Sequence, residues 1–531
     1  MPDSKYVFTI DLGTGGPKVA IISTHGDVIA HEFEATELML LPEGGAEQDP
    51  QDWWRAITTA TKRLMSNTAI AKEKIVAISC TAQWSGTVAV DKNGQHLMNS
   101  IIWMDSRGQP YLEKIVGGPI KFEGYGIHKI PTWLRKTGGL PTNSGKDPIA
   151  HILYIREQLP EVYKKTYKFL EPKDWVNQKL TGLFAATFDS ITLHWVTDNR
   201  DISNVSYSKT LLKMSTLDRE KLPDLKAPAE ILGPLEAKVA TELGLNPGTP
   251  VTTGTPDLQS AAVGSGAVRD YEGHLYIGTS SWLTCHVPFK KTDIVHSMAS
   301  LPSAIPDRYF IANEQEAGGA CLTWLKNNVL FHPDELMAES KQDNVYQAFD
   351  RIVEKTPAGS NGVLFTPWLN GERTPVEDHL VRAGFHNISL QTTREHFIRA
   401  VFEGVAFNSR WLLKYVEKFI KRPFPHINMI GGGANSAIWC QIHADILNRQ
   451  IRQVHEPILA NSRGMAFIAA VALGHANLEE VSGNIKIAKT FEPNPDNREL
   501  YDDMFEEFLN IYKHSSKISA RLNTGINWGE A

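Results

Sequence analysis

The stretch Tyr6-Val7-Phe8-Thr9-Ile10-Asp11-Leu12-Gly13-Thr14-Gly15-Gly16-Pro17-Lys18-Val19-Ala20-Ile21-Ile22 decides how the rest of the chain is read. An apolar run ends in an aspartate, turns through Gly-Thr-Gly-Gly and re-enters an apolar run after one lysine. The pattern predicts a β-hairpin whose glycines let the backbone bend and come close to a ligand. Successive N–H groups in such a turn form a concavity for anions. A carboxylate at the strand end suits a hydrated magnesium ion, which pairs a few carboxylates with phosphate oxygens. A Gly-rich hairpin alone is usually just a hairpin, so the weight falls on what accompanies it.

Outward from the hairpin, the chain has 531 residues, too many for one core, and two large domains are expected. A 42% hydrophobic and 21% charged composition is that of an ordinary globular protein. The net charge of -6 comes without a basic stripe, which argues against nucleic acid or anionic membrane as partners. Cys80, Cys285, Cys321 and Cys440 lie far apart without a C-x-x-C pair and read as reduced thiols, with a disulfide or metal role left open. Met1-Pro2-Asp3-Ser4-Lys5 runs straight into a strand, so no signal peptide is expected. No apolar run nears the ~20 residues that span a bilayer. A cytoplasmic location is the expectation.

A further strand is expected at Val28–Phe33, and Asp49-Pro50 caps a helix with Trp53, Trp54, Ile57 and Leu64 at helical spacing. Buried strands are expected from Ile75 to Cys80 and from Thr87 to Asp91, and Ile101-Ile102-Trp103-Met104-Asp105 is another apolar run ending in a carboxylate. Residues 117–147, rich in Gly, Pro and Lys, read as a surface insertion. Helices follow at Pro148–Gln158 and from Asp174 to a stop at Gly182. The pattern restarts near Pro247-Gly248-Thr249-Pro250. Val251-Thr252-Thr253-Gly254-Thr255-Pro256-Asp257 then brings a carboxylate to a small-residue helix over 258–265.

A second strand–turn–strand, from His274 to Thr284 around Gly278-Thr279-Ser280-Ser281, mirrors the opening hairpin without its aspartate. Two such hairpins, one near the start of each half, suggest duplicated domains facing across a cleft. A third glycine turn, Ile430-Gly431-Gly432-Gly433-Ala434-Asn435-Ser436, opens a helix at Ala437–Leu447, a geometry that suits phosphate or a nucleoside edge. The helix over 394–415 is apolar nearly all round and reads as buried between the domains. A terminal helix over 500–512 reads as an amphipathic cover.

Together these features resemble the FGGY carbohydrate kinases, within the actin/hexokinase-like superfamily, nearly end to end. The most specific stretch is Gly371-Glu372-Arg373-Thr374-Pro375. It is followed by Ala383-Gly384-Phe385-His386-Asn387-Ile388 and then by His396-Phe397-Ile398-Arg399-Ala400-Val401-Phe402-Glu403-Gly404. Asn387 stands where the family's second signature usually has glycine, and His151 and Tyr154 replace the lysine and tryptophan of the first. The Gly-Glu-Arg-Thr-Pro stretch and Leu170-Glu171-Pro172-Lys173-Asp174 look most like the xylulokinase branch.

The resemblance implies an α/β chain of two duplicated actin/hexokinase-like (ribonuclease H-like) domains, residues 1–257 and 258–531, facing across an ATP/sugar cleft. It implies ATP and Mg²⁺, a small sugar or polyol as the partner, and an assembly compatible with a homodimer. By resemblance Asp257 is the base that deprotonates the attacking hydroxyl, and Asp11 holds magnesium. Thr14, Gly15, Gly16, Lys18, Gly278 and Thr279 would line the phosphate path, and Gly319, Gly432, Gly433 and Ser436 would contact nucleotide. Without the resemblance Asp257 reads as an N-cap, Lys18 as an edge-strand charge and each glycine as a tight turn.

Gln83, Trp84, Ser85 and Asp105 fall at the family's sugar positions. Xylulokinases typically carry Met-His where this chain has Trp84-Ser85, a departure that removes an imidazole donor and narrows the pocket with an indole; from the branch resemblance D-xylulose is the first expectation, beside other ketoses, polyols and aldonates (ribulose, glycerol, gluconate). Trp84 reads equally as core; Asp105 alone reads as a cap of the next helix, but Trp103-x-Asp105-x-Arg107 matches a family motif, and substrate contact is the favoured reading. Two readings compete with a kinase: an actin- or chaperone-like ATPase, and a non-catalytic sugar-binding regulator.

Overall fold

The computed structural model describes residues 5–332 and 344–524. The opening stretch forms β1 (Tyr6–Gly13) and β2 (Gly16–Ser23), joined antiparallel with Asp11 directly opposite Lys18. β3 (Val28–Phe33) continues the meander. Asp49 accepts the Gln51 amide and starts α1 (Pro50–Asn67), which buries Trp53, Trp54, Ile57 and Leu64. β4 (Ile75–Ala82) runs parallel to β1. After α2 (Pro148–Gln158) and α3 (Pro172–Thr181), the latter ended by left-handed Gly182, the chain adds β5 (Ile231–Pro234) and β6 (Pro250–Thr252). The first sheet has the order β5-β6-β4-β1-β2-β3.

The second sheet repeats that logic. After α4 (Asp257–Ser265), β7 (Gly273–Ile277) and β8 (Ser281–Thr284) form the second hairpin. α5 (Arg394–Ile420) leads to β9 (His426–Ile430), α6 (Ala437–Leu447) and β10 (Gln450–Val454). α7 (Ala460–Ala472), β11 (Ile487–Phe491) and α8 (Arg498–Asn523) complete the described chain. The order is β8-β7-β9-β10-β11. Outward from its antiparallel hairpin each sheet adds two parallel strands and one antiparallel edge strand. The duplication expected from the two hairpins is therefore present in the strand order itself.

Three expectations are corrected. α5 is buried, but inside the core of the second half, where Val401, Val405, Phe407 and Leu412 pack with residues of α6 and α8. The helix between the halves is α7. Its Ala466 and Ala469 pack on Val7, Ala20, Ile22 and Ala77 of the first sheet, while Met465, Phe467 and Ile468 pack with Ile430 and Val454 of the second. Its apolar residues are mostly alanines, a weak hydrophobic signal. Residues 117–147, read as a surface insertion, hold the helix Ile130–Thr137 and line the central cavity. The terminal cover is longer than expected, and α8 buries Tyr501, Met504, Phe505 and Phe508.

α4 and α7 cross closely because glycine stands on both. A Cβ on Gly264 would lie 1.7 Å from the Ala460 carbonyl oxygen, and one on Gly464 would lie 2.0 Å from that of Ser260. No side chain fits there, so the helices meet backbone to backbone. α4 begins at Asp257, so this crossing also sets the position of that carboxylate. Gly464→Ala should destabilise the protein by at least about 1–3 kcal/mol, read as a lowered urea midpoint. Gly483→Ala, exposed and with open space around its Cβ, should leave the midpoint unchanged or raise it.

Candidate functional site

The first hairpin contributes a charge pair and an open turn. Because Asp11 and Lys18 are cross-strand partners their side chains share one face, and Nζ donates to Asp11 Oδ2 at 3.0 Å. Asp11 is buried, whereas the Lys18 side chain keeps 30% of its surface exposed. The Lys18 pKa is raised chiefly by Asp11 against the opposing effect of burial, with Tyr276 of the second half and Asp257 adding to the rise. Gly16 is required: its φ is +133° and a Cβ would sit 2.1 Å from the Glu34 carbonyl oxygen. Gly15 has open space in front of it. Thr14 accepts from Trp103 Nε1 at 3.0 Å and donates to Gln83 Oε1 at 3.0 Å, and Gln83 donates to Gln48 at 2.7 Å.

Opposite stands Asp257, the first residue of α4, with Pro256 rather than the aspartate at the cap position. Its Oδ1 accepts the Leu258 amide at 2.9 Å. Burial pushes its pKa up to about 8, and the negative charges of Asp11 and Glu314 push the same way; the Leu258 and Trp84 amides oppose them. A carboxylate so placed is a stronger base than an exposed one.

The cavity between these groups has a volume of about 1020 Å³ and is lined by both halves. It brings together Asp11, Thr14, Gly15, Gly16, Lys18, Gln83, Trp84, Ser85, Asp257 and Thr279. Trp84 presents itself to the cavity while its Nε1 donates to the Ser190 carbonyl at 2.8 Å. Ser85, at φ +68°, donates its hydroxyl to the Lys146 carbonyl at 2.9 Å.

Asp105 does not join them. Its carboxylate accepts the Ala46 and Arg107 amides, each at 2.9 Å, and is paired with the Arg107 guanidinium at 2.6 Å. An arginine two residues on satisfies it, and it does not cap the next helix, Gln109–Val116, whose N-cap position is Gly108. Gly278, Gly319, Gly432, Gly433 and Ser436 also lie outside the cavity lining. They are grouped behind the second hairpin: Gly319 N–H donates to the Gly278 carbonyl at 2.6 Å, and a Cβ on Gly433 would lie 2.6 Å from Ile277. Ser436 caps α6 by accepting the Trp439 amide and donates to Asp350 at 2.7 Å.

The sequence reading passed over the residues that close the other end of the cavity. Arg373 donates to Glu314 and to Glu316, each at 2.6 Å, and its guanidinium lies 5.4 Å from the Trp103 ring centroid. Lys146 reaches across from residues 117–147 to Glu316 at 3.2 Å. Burial works against its ionisation, but Arg373 and Lys146 pull Glu316 down to about 2. Asp147, held by the Thr142 amide and Trp195 Nε1, is pushed up by burial to about 6. The Gly-Glu-Arg-Thr-Pro stretch was the available signal for Arg373, but that stretch served only to identify a family.

Comparison with known proteins fits this geometry. The N-terminal domain model of the FGGY family of carbohydrate kinases matches residues 6–264, and its C-terminal domain model matches residues 274–473. A xylulose kinase of Staphylococcus epidermidis is 29% identical, over 98% of this chain and 99% of its own length. A gluconokinase of Bacillus subtilis is 24% identical, with 96% of each chain covered. The crystal structure of ligand-bound xylulose kinase from Lactobacillus acidophilus matches the fold with a TM-score of 0.83 at 24% identity, covering 98% of this chain and 100% of that one.

The electrostatics of Asp257 make a direct prediction. Followed by carbon-13 NMR, its carboxyl should titrate near pH 8. Glu314→Gln removes one of the negative charges holding it up and should move the midpoint to lower pH. A midpoint in the ordinary aspartate range, or an upward move in the variant, contradicts the burial and charge account.

Proposed function

The chain belongs to the FGGY family of carbohydrate kinases, which are sugar phosphotransferases, and from that premise we propose that it transfers the γ-phosphoryl group of ATP to D-xylulose, giving D-xylulose 5-phosphate. The observation that carries the reading is the placement of Asp257, at the start of α4, across one cavity from the Asp11–Lys18 pair of the first hairpin. A base, a cation and a carboxylate beside an open glycine turn are the parts that phosphoryl transfer to a hydroxyl requires.

In this mechanism Asp257 accepts the proton of the attacking hydroxyl. The turn at Thr14, Gly15 and Gly16 lies along the path of the γ-phosphate, and Lys18 offsets charge that builds on its oxygens. Thr279 approaches from the second half. Asp11 faces the cavity with Lys18 on one oxygen, and a single carboxylate beside phosphate oxygens is a donor set magnesium takes. Magnesium bound there would supply charge neutralisation at the phosphates. Gly319, Gly432 and Gly433 form the surface behind the second hairpin that suits the rest of the nucleotide. Gln83, Trp84 and Ser85 face the sugar.

The choice of a neutral ketose over an aldonate rests on charge. Arg373 and Lys146, the cations at the far end of the cavity, are already paired with Glu314 and Glu316. Asp147 and Asp257 add further carboxyl groups to the wall. A substrate carboxylate would have to displace an existing partner or face these acids, whereas hydroxyls can donate to them.

Asp257→Asn should lower kcat by about 10²- to 10⁴-fold, the usual contribution of a general base, with ATP and sugar still binding by calorimetry. Turnover near that of the wild type would remove Asp257 from the role. In an ADP-release panel D-xylulose should exceed gluconate and glycerol in kcat/KM, and a preference for gluconate would overturn the charge argument.

A further inference from the structure

Beneath the cavity lies a cluster of charged side chains that the proposed chemistry leaves unused. Glu171, Lys173, Asp174 and Asp189 are each no more than 2% exposed. Lys173, in the first turn of α3, pairs with the Asp174 carboxylate and donates to the Thr253 carbonyl at 3.0 Å; Asn177, one turn on, donates to the same carbonyl at 2.8 Å. Thr255 donates its hydroxyl to Asp189. These contacts hold the segment between β6 and Asp257. Gly254 is pressed so close to β4 that a Cβ would lie 1.9 Å from the Cys80 carbonyl oxygen.

The same cluster holds the opposite wall. Ser190 donates to Asp174 at 3.2 Å, and its carbonyl accepts Trp84 Nε1. Glu171 accepts the Gly86 amide at 3.1 Å. One helix start therefore touches both active loops. We infer that Lys173 is a positioning residue that fixes the base loop, residues 253–257, and the sugar loop, residues 83–86, in one mutual geometry through Thr253 and Thr255 on one side and Asp174, Ser190 and Glu171 on the other.

Charge explains why a lysine stands there. Burial pushes the carboxyls of Glu171, Asp174 and Asp189 up, and the Lys173 ammonium opposes the rise in all three. Loss of the cation leaves the acids unpaired in a dry interior, and they are then free to take new partners. The loops they hold lose their common anchor.

The kinetic part of this inference rests on the kinase reading; the exchange part does not. In Lys173→Met, amides of residues 83–87 and 253–258 should exchange at least about tenfold faster together, while those of the second hairpin, 273–284, keep their protection. Loosening of one loop alone, or of the whole chain equally, overturns the inference whether or not any sugar is turned over. Thr255→Val, nearly isosteric and far gentler to the fold, removes only the Asp189 hydrogen bond. It should lower kcat on the best sugar by about tenfold or more, since small misplacements near a reacting group are costly. KM for ATP should not move, and Thr255→Ser, which restores the donor, should recover the rate. Wild-type kcat in Thr255→Val, or equal impairment in Thr255→Ser, would sink the role assigned to the cluster. Absence of turnover in the wild-type protein on every sugar would refute the kinase reading instead, and the exchange result would still decide the coupling.

Discussion

The constraint on which the rest of the structure depends is the contact of α4 and α7 through Gly264 and Gly464. Backbone-to-backbone contact leaves little freedom of translation between the helices, since each approach is already at van der Waals distance. α7 lies against β1, β2 and β4, whereas α4 follows β6 and carries Asp257 at its first position. Fixing one helix on the other therefore fixes Asp257 relative to the Asp11–Lys18 ladder pair. Further links tighten the junction: Arg463 donates to the Gly26 carbonyl at 3.1 Å, and Phe467 packs where a Gly26 side chain would stand. The chemistry is assembled from groups far apart in sequence, and their spacing is set by two residues that carry no side chain.

Much of the fold was legible because its signals are local. Apolar runs on either side of Gly-Thr-Gly-Gly permit little besides a hairpin, and a second copy after residue 270 reveals the duplication. Asp257 was also legible, since a strand, a Gly-Thr-Pro turn and a small-residue helix leave it at a helix start. What failed depended on partners that type and spacing do not show. Asp105 has the chemistry of a sugar ligand, but Arg107 and the Ala46 amide take its oxygens. The helix expected over 394–415 is apolar nearly all round, and only packing tells which core it fills. α7 was passed over because alanine and glycine carry little hydrophobic signal; its importance comes from a glycine two hundred residues earlier.

Under the proposed function, a mostly acidic wall serves a reaction that concentrates negative charge. Acids and cations alternate around it: Asp11 with Lys18, Glu314 and Glu316 with Arg373, Glu316 again with Lys146. Asp257 and Asp147, by contrast, accept amide and indole N–H groups, and burial pushes them up to about 8 and about 6. Pairing elsewhere keeps the remaining charges fixed in place, so these two carboxyls are the ones placed to change their state, as the proposed base has to.

The place of α7 in the chain has a consequence for biosynthesis. The face of the first sheet formed by Val7, Ala20, Ile22 and Ala77 is covered by Ala466 and Ala469. A ribosome makes that sheet well before its cover. Until residue 472 has emerged, the sheet presents a bare apolar face, the kind of transient surface on which aggregation and chaperone capture compete with folding. The duplicated halves are thus unequal in time: the first can form its strands alone, but it is finished only by the second.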